Sequence, residues 1–246
     1  MLSRMSATHA HAELADSLRG LFPPGIVAAE FRGSASAAVL LPEELACVAS
    51  AAPRRVSEFA AGRLCARRAL REFGIADSPL LPAADRQPLW PAGIVGSISH
   101  TAGWCVAAVA DARAFGAIGV DVEAVGDVIV DIWPAVFLES ERRRLATLAD
   151  AERAVASTLI FSAKEAFYKA QFALVGERLD FHDVLIEFGG PCDDGNRFSV
   201  VPQRPLVLAA KTAVAFTGRY RRDGGHVAAA FAIPADLNTP CRRETP

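Results

Sequence analysis

Residues 118–123 (IGVDVE) alternate at period two, with Ile118, Val120 and Val122 set against Gly119, Asp121 and Glu123. The alternation predicts a short strand with both carboxylates on one face. Residues 104–110 (WCVAAVA) are apolar on both faces and predict a central strand. They are entered from residues 94–100 through a turn at Thr101, Ala102 and Gly103, and 118–123 is expected to extend that antiparallel meander. Upstream, 26–31 and 37–41 read as paired strands, and Pro42, Glu43 and Glu44 open a short helix. Phe59, Ala66, Leu70 and Phe73 recur at helical spacing, predicting a helix over 56–73 stopped by Gly74. Residues 140–148 predict a polar surface helix. Residues 158–172 (TLIFSAKEAFYKAQF) predict another, with Ala163, Ala166 and Ala170 on one face and Phe161, Tyr168 and Phe172 on a second. Strands follow at 184–188, 197–201, 211–221 and 226–233, the last two joined by the turn Arg222–Asp223–Gly224–Gly225. Residues 1–18 read as a frayed start or a first helix, and 238–246 as a disordered tail. No sequence repeat is visible, yet each half runs helix and then antiparallel strands. The expectation is an α+β chain of two similar lobes, residues 1–114 and 115–246, joined around 112–116.

With 52% hydrophobic and 22% charged residues, the 246-residue chain has the composition of a folded domain with a sizeable core. With a net charge of −2 and no extended basic track, non-specific nucleic-acid binding is not expected. The first residues lack the apolar run of a signal peptide, and no window suits a membrane span. The five cysteines are scattered without a C-x-x-C pair, against a disulfide framework or a zinc site. A cytoplasmic protein with reduced thiols is expected, with neither nucleic acid nor membrane as partner.

Four features carry chemistry. Asp121 and Glu123 are costly together unless water, a cation or an arginine separates them, and a hard divalent cation is one natural answer; an ordinary solvated strand is the other. Arg63, Arg67 and Arg71 form an i, i+4, i+8 ridge with Arg54 and Arg55 upstream, either a solvated cationic face or an anion site. Gly96, Ser97, Ser99 and His100 place bare backbone, hydroxyls and an imidazole at a strand end. Glu165 lies within an aromatic stripe flanked by Lys164 and Lys169, as a metal or base carboxylate or as an i, i+4 ion pair with Lys169.

The stretches FAAGRLCARRAL, PLWPAGIVGSISHTAGWCVAAVA, IGVDVE and FSAKEAFYKA, in that order, resemble the 4′-phosphopantetheinyl transferases. The likeness is to the larger, pseudo-dimeric branch of the surfactin-synthetase and enterobactin-synthetase component D types. It implies two lobes related by a pseudo-twofold, each a small antiparallel sheet packed with a long helix, with coenzyme A in the cleft between them. It implies transfer of the 4′-phosphopantetheine arm to a serine of an apo acyl carrier protein or peptidyl carrier domain, releasing 3′,5′-ADP. Asp121, Glu123 and Glu165 would ligate Mg²⁺; Glu165 and Lys169 would be catalytic, Lys169 also meeting the pyrophosphate. Arg55, Arg63, Arg86 and His100 would hold the 3′-phosphate with Ser99 beside them, and Lys164 would be a further phosphate contact. Val122 within the D-x-E leaves a second metal open, and Arg86 stands where relatives often carry lysine. Residues 124–157 hold no matching word, so carrier choice and pathway stay open. Two lobes in one chain make a monomer sufficient. The rival readings are another Mg²⁺-dependent phosphodiester-cleaving enzyme, a nuclease or phosphohydrolase, and a non-enzymatic coenzyme A-binding protein.

Overall fold

The computed structural model describes residues 12–76, 78–189, 196–211 and 216–236. The elements run β1 (Glu13–Leu14), β2 (Ile26–Arg32), α1 (Pro42–Ala46), α2 (Pro53–Arg71), β3 (Ile94–Thr101), β4 (Trp104–Asp111) and β5 (Phe115–Ala124). They continue with α3 (Trp133–Val136), α4 (Glu139–Ala146), α5 (Asp150–Val175), β6 (Val184–Phe188), β7 (Arg197–Pro202), α6 (Val207–Lys211), β8 (Thr217–Asp223) and β9 (His226–Pro234). Two antiparallel sheets result, ordered β1-β2-β4-β3 and β5-β9-β8-β7-β6. Among the described residues, no helix is long and apolar enough to cross a membrane.

The doubly apolar β4 is central, as its pattern requires, and both its faces are used. Cys105, Ala107 and Val109, with Ala29 and Phe31 of β2, pack under Phe59, Ala66 and Leu70 of α2. Trp104, Val106, Ala108 and Ala110 instead meet Ile118, Val120 and Val122 of β5 and Ala228 and Ala230 of β9. The opposite face of the second sheet, with Ala117, Ala229 and Phe231, is covered by Ala163, Ala166, Phe167 and Ala170 of α5. The layers therefore run helix, sheet, sheet, helix. The small-residue face of α5 lets it approach so closely that a Cβ on Gly119 would stand 1.8 Å from the Ala166 carbonyl oxygen. Gly176, in the left-handed region at φ 68°, ends the helix.

Four expectations change. Residues 37–41 form a single 3₁₀ turn, Ala37–Val39, not a strand, because Ser36 Oγ accepts the Ala38 N–H at 3.2 Å. β5 does not prolong the β3–β4 meander; it pairs with β9 and opens the second sheet. Its alternation is satisfied by two different layers, the first sheet on one side and α5 on the other. The strand expected over 211–221 starts at Thr217, after the short α6. The helix over 140–148 is not wholly a surface element, since Glu141 is buried at 3% exposure. Of the reading of residues 1–18 as a frayed start or a first helix, 1–11 lie outside the described residues, as does the tail 238–246, while the rest form β1 and a 3₁₀ turn, Asp16–Leu18, with Leu18 buried.

The two lobes share a connectivity that their residues conceal. β2, α1, α2, β3 and β4 pair as β2-β4-β3, while β5, α4, α5, β8 and β9 pair as β5-β9-β8. Each lobe also buries one ion pair in the same place, and the base follows the acid by 23 residues in both. Glu44 of α1 takes Arg67 of α2 at 2.7 Å and accepts the backbone N–H of Leu41 and Leu80. Glu141 of α4 takes Lys164 of α5 at 2.7 Å and accepts the backbone N–H of Leu138 and Ile186.

Candidate active site

β3 and β5 are the edge strands of their two sheets, and they lie side by side without pairing backbone to backbone. Serine hydroxyls bridge the gap. Ser97 Oγ accepts the Val120 N–H at 3.1 Å and Ser99 Oγ accepts the Val122 N–H at 3.3 Å. Both serines are buried, so the β5 donors on this edge are satisfied by side chains of the other lobe. The sequence marks these serines as ligand contacts; the structure gives them an architectural task.

The chemistry gathers on this seam. Lys169 reaches across from α5 and donates to Asp121 Oδ1 at 2.7 Å, to the Val120 carbonyl at 3.1 Å and to Ser99 Oγ at 3.1 Å. The i, i+4 reading that paired Lys169 with Glu165 thus gives way to an ion pair with Asp121 of β5, joined by Ser99 of the other lobe. Asp121 is 2% exposed, and its Oδ2 is buried with no hydrogen-bond partner. Glu123 is pushed up to about 8, by burial first and then by Asp121, with Asp127 and Glu165 adding and Lys169 opposing. Burial and the charge of Asp121 likewise raise Glu165, against Lys169. Burial and Asp121 thus raise the proton affinity of both Glu123 and Glu165, and the orphaned oxygen of Asp121 adds a hard donor of the kind that suits a divalent cation. Among the described residues no group of three or more acidic, histidine or cysteine side chains stands where it could hold a metal ion in this conformation. Lys169 occupies Asp121 Oδ1 in this conformation, leaving Oδ2 as the oxygen on offer.

A basic cluster sits at the far end of β3. Arg55 Nη1 lies 3.3 Å from His100 Nε2, and Glu58 is 3.7 Å from His100, 3.8 Å from Arg55 and 2.9 Å from Arg54. Burial holds the His100 imidazole below its ordinary value, with Arg55, Lys169 and Arg54 adding and Glu58 opposing. Arg54, Glu58 and His100 line a cavity of about 500 Å³ with Ser57 and Gly103. Glu58 was not singled out in the sequence, although its i, i+4 spacing from Arg54 was there to be read.

The other basic candidates disperse. Arg63 is 6% exposed, gives Nε to the Leu80 carbonyl at 2.9 Å and stacks on the Phe59 ring, lining none of the cavities described here. Arg67 is held by Glu44 and the Val39 carbonyl, so the arginine ridge is in part an internal tie. Arg86 is exposed at φ 72° in a tight turn closed by Arg86 N–H to Ala83 O and Ala83 N–H to Gln87 O. It lines a different cavity from His100, so the four-residue 3′-phosphate set is not one cluster. Lys164 is the clearest correction: its ammonium donates to Glu141, to the Val136 carbonyl at 3.0 Å and to the Phe181 carbonyl at 2.8 Å. All three donors are used inside the lobe, and none is left for phosphate.

A groove of about 500 Å³ follows the seam between the lobes, lined by Arg86, Trp90, Gly96, Ser97, Lys169 and Arg178 among others. A smaller pocket of about 180 Å³ opens on the other side of α5, walled by Glu165, Leu179 and Phe181. Tyr168 borders both.

Fold and site together define a two-lobed α+β protein in which Asp121, Lys169 and Ser99 join on the seam between the lobes, beside an interlobe groove that Lys169 also lines. Residues 42–110 match the 4′-phosphopantetheinyl transferase N-terminal domain, and residues 117–217 match the 4′-phosphopantetheinyl transferase superfamily. The 4′-phosphopantetheinyl transferase Svp of Streptomyces mobaraensis is 38% identical over 202 residues, 82% of this chain and 81% of the relative. The 4′-phosphopantetheinyl transferase PptT of Mycobacterium tuberculosis is 37% identical over 60% of this chain and 65% of its own. Enterobactin synthase component D of Salmonella typhi is 38% identical over 49% of this chain and 50% of its own. The chain belongs to the 4′-phosphopantetheinyl transferase superfamily, which sets aside the nuclease and phosphohydrolase readings.

Proposed function

We propose that this chain transfers the 4′-phosphopantetheine arm of coenzyme A to a serine of an apo acyl carrier protein or peptidyl carrier domain, releasing 3′,5′-ADP. It does so as a monomer in the cytoplasm. The observation that carries the reading is the junction of Asp121, Lys169 and Ser99 on the seam, with Asp121 Oδ2 unpartnered and with burial and the charge of Asp121 raising the proton affinity of both Glu123 and Glu165. The interlobe groove takes the nucleotide of coenzyme A, with Arg86 and Arg178 along its wall. Arg55 and His100 hold the 3′-phosphate once Glu58 yields its place beside them. The small pocket past Tyr168 suits the uncharged pantetheine arm.

Asp121, Glu123 and Glu165 would hold Mg²⁺. Bound there, Mg²⁺ supplies positive charge to the pyrophosphate. Lys169 carries a second positive charge beside Asp121 and stabilises the departing phosphate of 3′,5′-ADP. Glu165, whose proton affinity is raised by burial, accepts the proton of the carrier serine as its oxygen attacks the β-phosphorus. No enzyme-bound intermediate is needed, and the buried Cys65 and Cys105 have no part in the reaction.

The test is to incubate the protein with coenzyme A, Mg²⁺ and an apo carrier protein and weigh the carrier. A mass gain equal to phosphopantetheine, matched by released 3′,5′-ADP, is expected. Coenzyme A binding with an unchanged carrier mass for every carrier class tried would favour the non-enzymatic binding protein.

A further inference from the structure

The resemblance puts Ser99 beside the 3′-phosphate, but its hydroxyl has no capacity left for one. A serine hydroxyl donates one hydrogen bond and accepts two. Ser99 Oγ donates to Asp121 Oδ1 at 2.9 Å and accepts from the Val122 N–H at 3.3 Å and from Lys169 Nζ at 3.1 Å. The residue is 6% exposed and comes from β3, whereas every group its hydroxyl bonds belongs to the other lobe.

We infer that Ser99 is a positioning residue, the one through which the N-terminal lobe sets the rotation of the Asp121 carboxylate and the placement of the Lys169 ammonium. Its donated hydrogen bond and the Lys169 contact both fall on Oδ1. The carboxylate is thereby pinned with Oδ2 outward from the pair, and Oδ2 is the buried atom without a partner. The Val122 N–H ties the hydroxyl to the β5 backbone one residue beyond Asp121, so its angle is fixed by the strand. Ser97 repeats the backbone tie two residues earlier but reaches no carboxylate. Of the two bridging serines, only Ser99 therefore acts on the reacting groups. The inference rests on the proposed reading in that a divalent cation is what Oδ2 awaits. Outer hydrogen bonds of this kind typically change metal affinity by about 10- to 100-fold.

The experiment measures the Mn²⁺ dissociation constant of the protein without coenzyme A by electron paramagnetic resonance, for the wild type, Ser99→Ala and Ser99→Thr. In parallel, calorimetry gives the affinities for coenzyme A and 3′-dephospho-coenzyme A. Ser99→Ala should weaken Mn²⁺ by about tenfold or more, Ser99→Thr should recover most of it, and the preference for coenzyme A over its dephospho analogue should not move. Unchanged Mn²⁺ affinity in Ser99→Ala, or a lost preference for the 3′-phosphate, would overturn the assignment. Should Ser99→Ala fail to fold, Ser99→Cys, a poor acceptor of similar shape, makes the same comparison. A wild type that binds no Mn²⁺ also overturns it. A wild type that binds Mn²⁺ but modifies no carrier sinks the proposed reaction alone, because neither readout depends on transfer.

Discussion

The Lys164 ammonium lies 2.7 Å from Glu141 Oε2, and the two side chains are 1% and 2% exposed. Burial lowers the proton affinity of Lys164, and Glu141 works against that shift. Lys164→Met leaves the Glu141 carboxylate buried without its cation, and breaking such a pair typically costs about 3–5 kcal/mol. Urea denaturation should show a loss of that order. Adding Glu141→Leu should not restore stability, because the N–H groups of Leu138 and Ile186 then lose their acceptor, at about 1–3 kcal/mol each. A Lys164 that served phosphate would show the opposite: unchanged stability and a raised KM for coenzyme A.

Gly119 is the point of closest approach between β5 and α5. An added Cβ would meet the Ala166 carbonyl oxygen at 1.8 Å, the carbonyl carbon at 2.8 Å and the Ala170 nitrogen at 2.9 Å. Backbone cannot rotate away as a side chain can, so Gly119→Ala must push α5 off the sheet. The loss should reach or exceed the ~1–3 kcal/mol usual for an overpacked core. Because Glu165 and Lys169 ride on α5, transfer should fall with stability. A variant as stable as wild type would mean the helix is not seated against β5.

Periodicity exposed the elements that lie on one layer, and chemistry exposed the residues that face one another across the seam. The apolar run of β4 and the alternation of 118–123 were both legible, yet neither told which strand each would pair with. β5 reads as a meander strand because its apolar face is the same whether it meets a neighbouring sheet or a core helix. The carboxylates stood out as an unpaired acidic couple. Arg67 and Lys164 did not betray their partners, since Glu44 and Glu141 lie 23 residues away on other helices. A basic residue reads alike whether it is bound for phosphate or for a buried acid. The shared connectivity of the lobes was invisible for a related reason: what is repeated is a place in the fold, occupied by arginine once and lysine once.

Arg55 is exposed at the rim of the basic cluster, and among the described residues it holds nothing in place but His100 and Glu58. Arg55→Ala should therefore leave the melting temperature nearly unchanged while weakening coenzyme A by about 10- to 100-fold, the scale of one charge-assisted phosphate contact of about 1.5–3 kcal/mol. Its affinity for 3′-dephospho-coenzyme A should barely change. Calorimetry with both ligands reads the difference, and equal losses would remove Arg55 from the 3′-phosphate. Arg63→Ala should differ, since losing the Leu80 tie and the Phe59 stack acts on stability.

Metal-free protein should lose stability as pH rises from about 5 to about 8. Glu123 titrates near its ordinary 4.5 when unfolded but at about 8 when folded. Across that window the folded state keeps a proton the unfolded state has released, so stability falls with pH. Glu165 is raised and contributes in the same direction. His100, lowered by burial, contributes in the opposite one. The effect is thus read as the difference in melting temperature between wild type and Glu123→Gln, in a chelator, at both ends of the window. The variant should shed the downward slope, and Mg²⁺ should flatten it in the wild type by favouring ionised carboxylates. Parallel curves for the two proteins would refute the shift.

Glu165→Gln separates proton transfer from binding more cleanly than any other change at the seam. The amide keeps the size of the side chain, and among the described residues Glu165 makes no ion pair that holds α5 in place, as the cation beside it belongs to Asp121. Removing the carboxylate also relieves the like charge facing Asp121, so stability should hold or rise slightly. Coenzyme A should still bind through the groove and the Arg55–His100 cluster, neither of which includes Glu165, since Glu165 walls only the pocket of the uncharged arm. Carrier modification should nonetheless fall by about 10²–10⁴, the usual share of a positioned base. If the deficit arose from weakened Mg²⁺ instead, raising Mg²⁺ well above its wild-type requirement would recover the rate. A deficit that persists at saturating Mg²⁺ and coenzyme A marks Glu165 as the base, and turnover at the wild-type rate would pass that task to another group.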